Sequence, residues 1–253
     1  EELLGWNIPD LPADRIRVIP CCCDLSHFDP ANLSDDLMAR LCEELDLQGA
    51  QPILVYLGSL GTWYCLDPML DFFKRLLKRH PRAIFLVLTH EPSATIEDRL
   101  ANWGIPPEAI RVRAASRDEV PALLSLANIG ISFIKPARSK KASSPTKLGE
   151  MLALGLPVIS NAGVGDSEFL NATYDIGPLT KDFSDDSLEH ALQQIPGYLA
   201  RSPADFREVA RDYFALSKGV ASYLAVYESL RPSSTQEGEG RNSSEHAAKE
   251  SSI

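Results

Sequence analysis

The chain has 253 residues, 44% hydrophobic and 24% charged, with 25 Lys and Arg against 35 Asp and Glu and a formal net charge of −10. That composition excludes disorder throughout, and the length lets hydrophobic burial hold a core without disulfides or metal. The acidity excludes nonspecific nucleic-acid binding and gives no support for contact with an anionic membrane, so any polyanionic ligand must meet a local basic patch.

Residues 1–50 read as a lead-in, with a strand expected at Arg15–Pro20 and a helix at Asp35–Leu47. The opening Glu1-Glu2-Leu3-Leu4 reads like the middle of a protein, so a missing N-terminal part is expected. Cys21, Cys22, Cys23, Cys42 and Cys65 fit neither a paired disulfide framework nor zinc spacing, and reduced thiols are expected. Continuous apolar runs then mark strands at Ile53–Gly58, Ala83–Leu88, Ile110–Val112, Ile129–Ile134 and Pro157–Ser160, each short and bounded by polar, Gly or Pro residues. Helical periodicity separates them at Pro68–Arg79, Ala94–Trp103 and Val120–Leu126. The alternation predicts an α/β fold, a Rossmann-like parallel sheet with helices on both faces, over residues 51–230.

Beyond Ser160 the pattern turns helical, with helices expected at Ser187–Gln194, Asp205–Phe214 and Lys218–Leu230 as a closing segment. From Arg231 the chain carries six serines and almost no apolar residue, so residues 231–253 read as a disordered tail. No run of apolar residues is long enough for a membrane span and no signal peptide opens the chain, which makes the cytoplasm the default compartment.

The richest segment runs from Lys135 to Asp166. Lys135, Arg138, Lys140, Lys141 and Lys147 fall within thirteen residues that contain no carboxylate. Ser144 and Pro145 read as the N-cap and first position of a helix, leaving the backbone N–H groups of Thr146, Lys147 and Leu148 as orphan donors for an anion. At helical spacing Leu148, Met151 and Leu152 share one face and Glu150 points away from it, placed to accept hydrogen bonds from ribose hydroxyls. The same residues also read as a solvated lysine-rich loop before an ordinary helix with a surface Glu. Gly58, Ser59 and Gly61 form a turn after the first strand of the series, where loops collect ligands; the spacing matches no phosphate-binding signature and equally describes a tight turn. His90 follows the next strand, near where a base or sugar would sit, and reads as well as a polar loop residue. Trp63, Trp103, Tyr223 and Tyr227 are expected to be packing residues.

The run Ser143-Ser144-Pro145-Thr146-Lys147-Leu148-Gly149-Glu150-Met151-Leu152-Ala153-Leu154-Gly155-Leu156-Pro157-Val158-Ile159 resembles the donor segment of glycosyltransferase family 4, enzymes of the GT-B fold. Arg17 to Phe28, Val55-Tyr56-Leu57-Gly58, Phe133, Gly163-Val164-Gly165-Asp166 and Tyr223 to Leu230 fall in the order of that family, so the likeness covers about residues 15 to 230. It corresponds to one half of such an enzyme, the C-terminal nucleotide-sugar-binding domain.

The resemblance implies transfer of a sugar, with retention, from a nucleotide-diphosphate donor of the UDP or GDP type to a glycan or lipid-linked acceptor, as in polysaccharide biosynthesis. It implies no obligatory metal and no other cofactor. Carried over by position, Glu150 holds the ribose, Ser144, Thr146 and Lys147 face the diphosphate, and the Gly58 to Gly61 turn closes over it. The acceptor site belongs to the missing N-terminal domain, so this chain alone is expected to transfer nothing. The sequence also departs from the pattern: Ala142 stands where many members carry a second Glu, and Thr62, Trp63 and Tyr64 replace a common Arg and Lys. Lys140, Lys141 and Lys147 are the candidates to balance the diphosphate charge. Two rival readings are a degenerate nucleotide-sugar-binding or interaction module and a sugar-nucleotide 2-epimerase of related fold.

Overall fold

The computed structural model describes residues 5, 6 and 8–230; the expected tail at 231–253 lies outside the described residues. Strands β1 Ile53–Leu57, β2 Ile84–Leu88, β3 Ile110–Arg113, β4 Ile129–Ser132, β5 Val158–Asn161 and β6 Leu179–Thr180 form one sheet. The order is β3-β2-β1-β4-β5-β6 and every pairing is parallel. The chain builds outward from β1 to β3 and then crosses back to place β4 on the other side of β1. That reversal opens a crevice at the carboxyl ends of β1 and β4.

Successive side chains on a strand face opposite ways, and here both faces are buried, which is why the strands read as unbroken apolar runs. Ile53 and Val55 join one core, while Leu54 and Tyr56 join the other. The first core packs under α1 Asp35–Glu44, α4 Val120–Ser125, α5 Thr146–Ala153 and α8 Pro203–Val209. The second packs under α2 Leu66–Arg79, α3 Ser93–Trp103 and α7 Asp185–Leu199. Lead-in residues Cys23, Phe28, Leu41, Leu45 and Leu47 belong to the first core as well.

Five strands and the helices between them fall where the apolar patterns predicted them. The strand expected at Arg15–Pro20 does not form. A short 3-10 turn at Ala13–Arg15 is followed by open chain, with Val18 84% exposed. Among the described residues no strand pairs with that segment. Pairing comes later, at Cys23, whose N–H donates to the Phe214 carbonyl at 2.7 Å and whose carbonyl accepts from Leu216 N at 3.1 Å. The helix expected at Ser187–Gln194 is longer, because the Ser184 hydroxyl caps it at Ser187 N and it runs through Pro196. The helix expected at Asp205–Phe214 breaks into α8 and a π turn, Ala210–Phe214. Two elements carried no clear pattern: α6 Ser167–Tyr174 and the two-residue β6.

The closing helix α9, Leu216–Ser229, exposes Val220, Tyr223, Leu224 and Tyr227, so the two tyrosines are not the packing residues expected. Trp103 is half-buried, its indole N–H donating to Asp67 Oδ1 at 3.2 Å. All five cysteines are free. Among the described residues no helix is long and apolar enough to cross a membrane.

Candidate functional site

Where β1 and β4 part, their loops enclose a cleft of about 430 Å³ lined by Gly58, Trp63, Tyr64, Lys140, Lys147 and Glu150, among others. β1 ends at Leu57, and Gly58 follows with φ +132°, a conformation that side chains rarely adopt. A Cβ there would lie 2.6 Å from Lys147 Nζ. Glycine therefore leaves the space through which Lys147 reaches from α5 beneath the β1 loop.

Lys147 is only 8% exposed. Its Nζ stands 3.9 Å from the Tyr64 ring centroid and 4.6 Å from that of Tyr56, and donates a long hydrogen bond to the Tyr56 hydroxyl at 3.4 Å. Among the described residues it has no carboxylate ion pair. Burial brings its pKa down from 10.5 to about 7, against the opposing charge of Glu150. A buried cation without a counter-ion is costly, and an anion entering the cleft would supply the missing partner.

The rings that hold it are themselves fixed. Tyr56 is fully buried on β1, and its hydroxyl donates to the Ser59 carbonyl at 2.5 Å. Tyr64 is bridged to Ile134, with Cys65 N donating to Phe133 O at 2.9 Å and Lys135 N to Trp63 O at 2.8 Å. The β1 loop is thus stitched to the end of β4. Across the mouth, Lys140 Nζ lies 4.6 Å from the centre of the Trp63 ring, which is 38% exposed.

The opposite wall is the 135–145 loop and the first turn of α5. The cap position of α5 is Pro145, and no side chain caps the turn; Ser144 is not the N-cap expected. Its hydroxyl instead accepts from Cys21 N at 3.1 Å, tying the lead-in to the cleft wall. Asn161, buried at the end of β5, accepts from Ile134 N at 2.9 Å and donates to Ile134 O at 3.0 Å. Gly165 N donates to Lys140 O at 2.9 Å, and a Cβ on Gly165 would fall 1.6 Å from Ser143 O. The Gly163-Val164-Gly165 run therefore cradles the loop from behind.

Glu150 lies outside both cores, away from the face of Leu148, Met151 and Leu152, and is half-buried in the cleft wall. Burial pushes its carboxyl up, while the charges of Arg117, Lys147 and His27 pull it back. It lines the cleft beside Lys147, as do Gly58, Ser144 and Thr146. Ser59 and His90 line an adjoining pocket of about 150 Å³ that shares Leu57 and Gly58 with the cleft. Two expected residues are not brought in as side chains. Gly61 lies in the exposed part of the turn, its carbonyl accepting from Tyr64 N at 2.9 Å, and the Leu148 side chain is wholly buried in the core. Lys135 and Lys141 are exposed outside the cleft lining. Tyr56, Tyr64 and Asn161 were not among the donor-site residues expected from the sequence. A tyrosine inside an otherwise aliphatic strand is the available signal, because a buried hydroxyl must find a partner.

A larger cavity of about 720 Å³ lies at the amino ends of the strands, lined by Arg79, His80, Arg82 and Arg201 among apolar residues. Arg79 sits in the last turn of α2 and Arg201 just beyond α7, where cations complement helix carboxyl ends. Among the described residues no cluster of three His, Cys, Asp or Glu side chains could hold a metal.

The family model described as glycosyl transferases group 1 matches residues 40–197. Comparison with curated proteins gives no match. Among solved structures, sucrose-phosphate synthase from Thermosynechococcus elongatus is 20% identical with a TM-score of 0.66, covering 85% of this chain and 52% of that one. A glycosyltransferase from Rickettsia africae ESF-5 is 17% identical with a TM-score of 0.68, over 90% of this chain and 60% of that one. Anabaena Alr3699/HepE, crystallised in complex with UDP and glucose, is 14% identical with a TM-score of 0.66, over 87% and 59%. These likenesses are of the GT-B fold, and the chain spans between about half and three fifths of their length.

Proposed function

The chain belongs to the glycosyl transferases group 1 family, and we propose that it is the donor-binding portion of a retaining glycosyltransferase acting on a nucleotide-diphosphate sugar. One observation carries the reading: the buried Lys147, with no carboxylate ion pair among the described residues, stands at the floor of the switch-point cleft with Glu150 beside it. The diphosphate pairs with Lys147, with the open first turn of α5 and Lys140 adding positive potential, and Glu150 accepts from the ribose hydroxyls. The base lies toward the pocket of Ser59 and His90. The UDP and glucose of the Anabaena structure favour a uridine donor, with guanosine the other candidate.

Chemically, the sugar–phosphate bond breaks as negative charge builds on the departing diphosphate. Groups already aimed at that charge lower the barrier without reorganising, so no metal is required. The acceptor, a glycan or lipid-linked sugar, is met by the half of the fold that this chain does not span. Transfer by this chain alone is therefore not expected, and the site of action is the cytoplasm or the cytoplasmic face of a membrane.

A thermal-shift panel of uridine, guanosine and adenosine diphosphates and their sugars tests the reading. Ligand at about 100 times its Kd adds about 2.7 kcal/mol, which raises Tm by roughly 5–10 °C. A rise with one base, lost in Glu150→Ala, is expected; no rise with any of them would contradict the assignment.

A further inference from the structure

We propose that Tyr56 and Tyr64 are positioning residues of the donor site: their ring faces hold the Lys147 ammonium group beneath Gly58 in place of a carboxylate, so that the donor diphosphate is the first anion to pair with it. The inference rests on the proposed function and deepens it.

A lysine can be held in a buried site by a carboxylate or by ring faces. A carboxylate neutralises the lysine and competes with any incoming anion. A ring face attracts the cation through its quadrupole and leaves its charge unspent. The second arrangement is the one found here. The Lys147 Nζ lies over both rings, which meet edge to face with centroids 6.2 Å apart and planes at 67°. Neither ring can drift, since Tyr56 is locked through Ser59 O and Tyr64 through the bridge to Ile134. Gly58 closes the top, where any Cβ would collide with the ammonium group. Thr62, Trp63 and Tyr64 stand in the turn where the sequence lacks basic residues, so Lys147 is the buried cation of this cleft.

The charged and titratable groups facing Lys147 are few. Tyr56 comes from β1, Tyr64 from the loop, Glu150 from α5 one turn on, and Lys140 from the far wall. Burial outweighs Glu150 and brings the Lys147 pKa to about 7. In the free cleft at mildly alkaline pH the amine has therefore largely shed its proton, and pairing with a diphosphate restores it. Donor binding takes up a proton from solution, and apparent affinity falls by nearly tenfold per pH unit above neutrality.

The test follows Lys147 in the free chain and then during binding. The side-chain Cε resonance of Lys147, assigned by its loss in Lys147→Gln, is titrated by NMR in the wild type, Tyr64→Phe and Tyr64→Leu. UDP binding is then measured by calorimetry at pH 7.5 and 8.5 in buffers of different ionisation enthalpy, above the range near pH 6 where phosphate groups titrate. Wild type and Tyr64→Phe are expected to titrate near neutrality and to take up close to one proton per UDP. In Tyr64→Leu, which keeps the site apolar but removes a ring face that favours the charged form, the midpoint should fall by about one pH unit, with about tenfold weaker binding of UDP and proton uptake at least as large as in the wild type. A wild-type midpoint among the surface lysines, or Tyr64→Leu indistinguishable from wild type, would overturn the proposal. Normal titration of the free chain with no binding of UDP or GDP would instead count against the donor assignment, because the NMR readout needs no ligand.

Discussion

Replacing Lys147 by Met should stabilise the free protein while abolishing its ligand site. The unfolded lysine has a pKa near 10.5 and the folded one about 7, so between these values the unfolded state binds the extra proton. Stability contributed at this position therefore rises with pH across that window, and the penalty is largest below it. At about 1.36 kcal/mol per pH unit, the buried amine costs about 4 kcal/mol at pH 7 and about 2 kcal/mol at pH 9. Methionine keeps the unbranched chain under Gly58 and ends in a thioether that needs no counter-ion, and any attraction of the charged amine to the two rings is already contained in the folded pKa. The variant should thus gain about 4 kcal/mol at pH 7 in urea unfolding followed by circular dichroism, and the advantage should fall to about 2 kcal/mol at pH 9. A variant less stable than wild type at pH 7, or a difference unchanged at pH 9, would refute the reasoning.

Glu150→Gln removes a half-buried carboxylate whose ionisation is already opposed by burial. Calorimetry should show UDP binding weakened about tenfold to a hundredfold, as expected for a lost charged hydrogen bond, with inorganic pyrophosphate affected less than about twofold. Gly58→Ala places a Cβ 2.6 Å from Lys147 Nζ at φ +132°. It should cost about 1–3 kcal/mol in unfolding free energy and weaken UDP binding as the ammonium group is displaced. Asn161→Ala strips two hydrogen bonds from Ile134 and leaves its backbone groups unpaired beside the β4 end. A loss of about 2–3 kcal/mol, or roughly 5–10 °C in Tm, should be seen by differential scanning calorimetry.

The sheet was legible because β1, β2, β4 and β5 are buried on both faces and so carry unbroken apolar runs. Where pairing alone defines an element the sequence is silent, as at the two residues of β6. Arg15–Pro20 shows the converse, a strand-like pattern that pairs with no strand among the described residues. At the site, the Ser144-to-Glu150 run was readable as an anion site from helix-start chemistry, and five of its residues do line the cleft. Its electrostatics were not. Lys147 read as one of five cations in a basic patch, with nothing to mark it as buried, because charge is ordinarily a surface signal and its burial depends on Gly58 and Tyr64, some ninety residues earlier in the chain. Ser144 reads as a cap by residue type, but the Pro145 backbone starts the helix and the Ser144 hydroxyl turns to Cys21. Both misreadings have one cause: local chemistry is written in neighbouring residues, whereas the partner that captures a side chain comes from elsewhere in the fold.

On the proposed reading the switch-point cleft takes a nucleoside diphosphate with its phosphates on Lys147. A crystal structure of the chain with UDP measures this most directly. Phosphate oxygens are expected within about 3 Å of Lys147 Nζ and ribose hydroxyls on the Glu150 carboxylate. UDP seated instead in the arginine-lined cavity at the amino ends of the strands, with Lys147 still unpaired between Tyr56 and Tyr64, would contradict it.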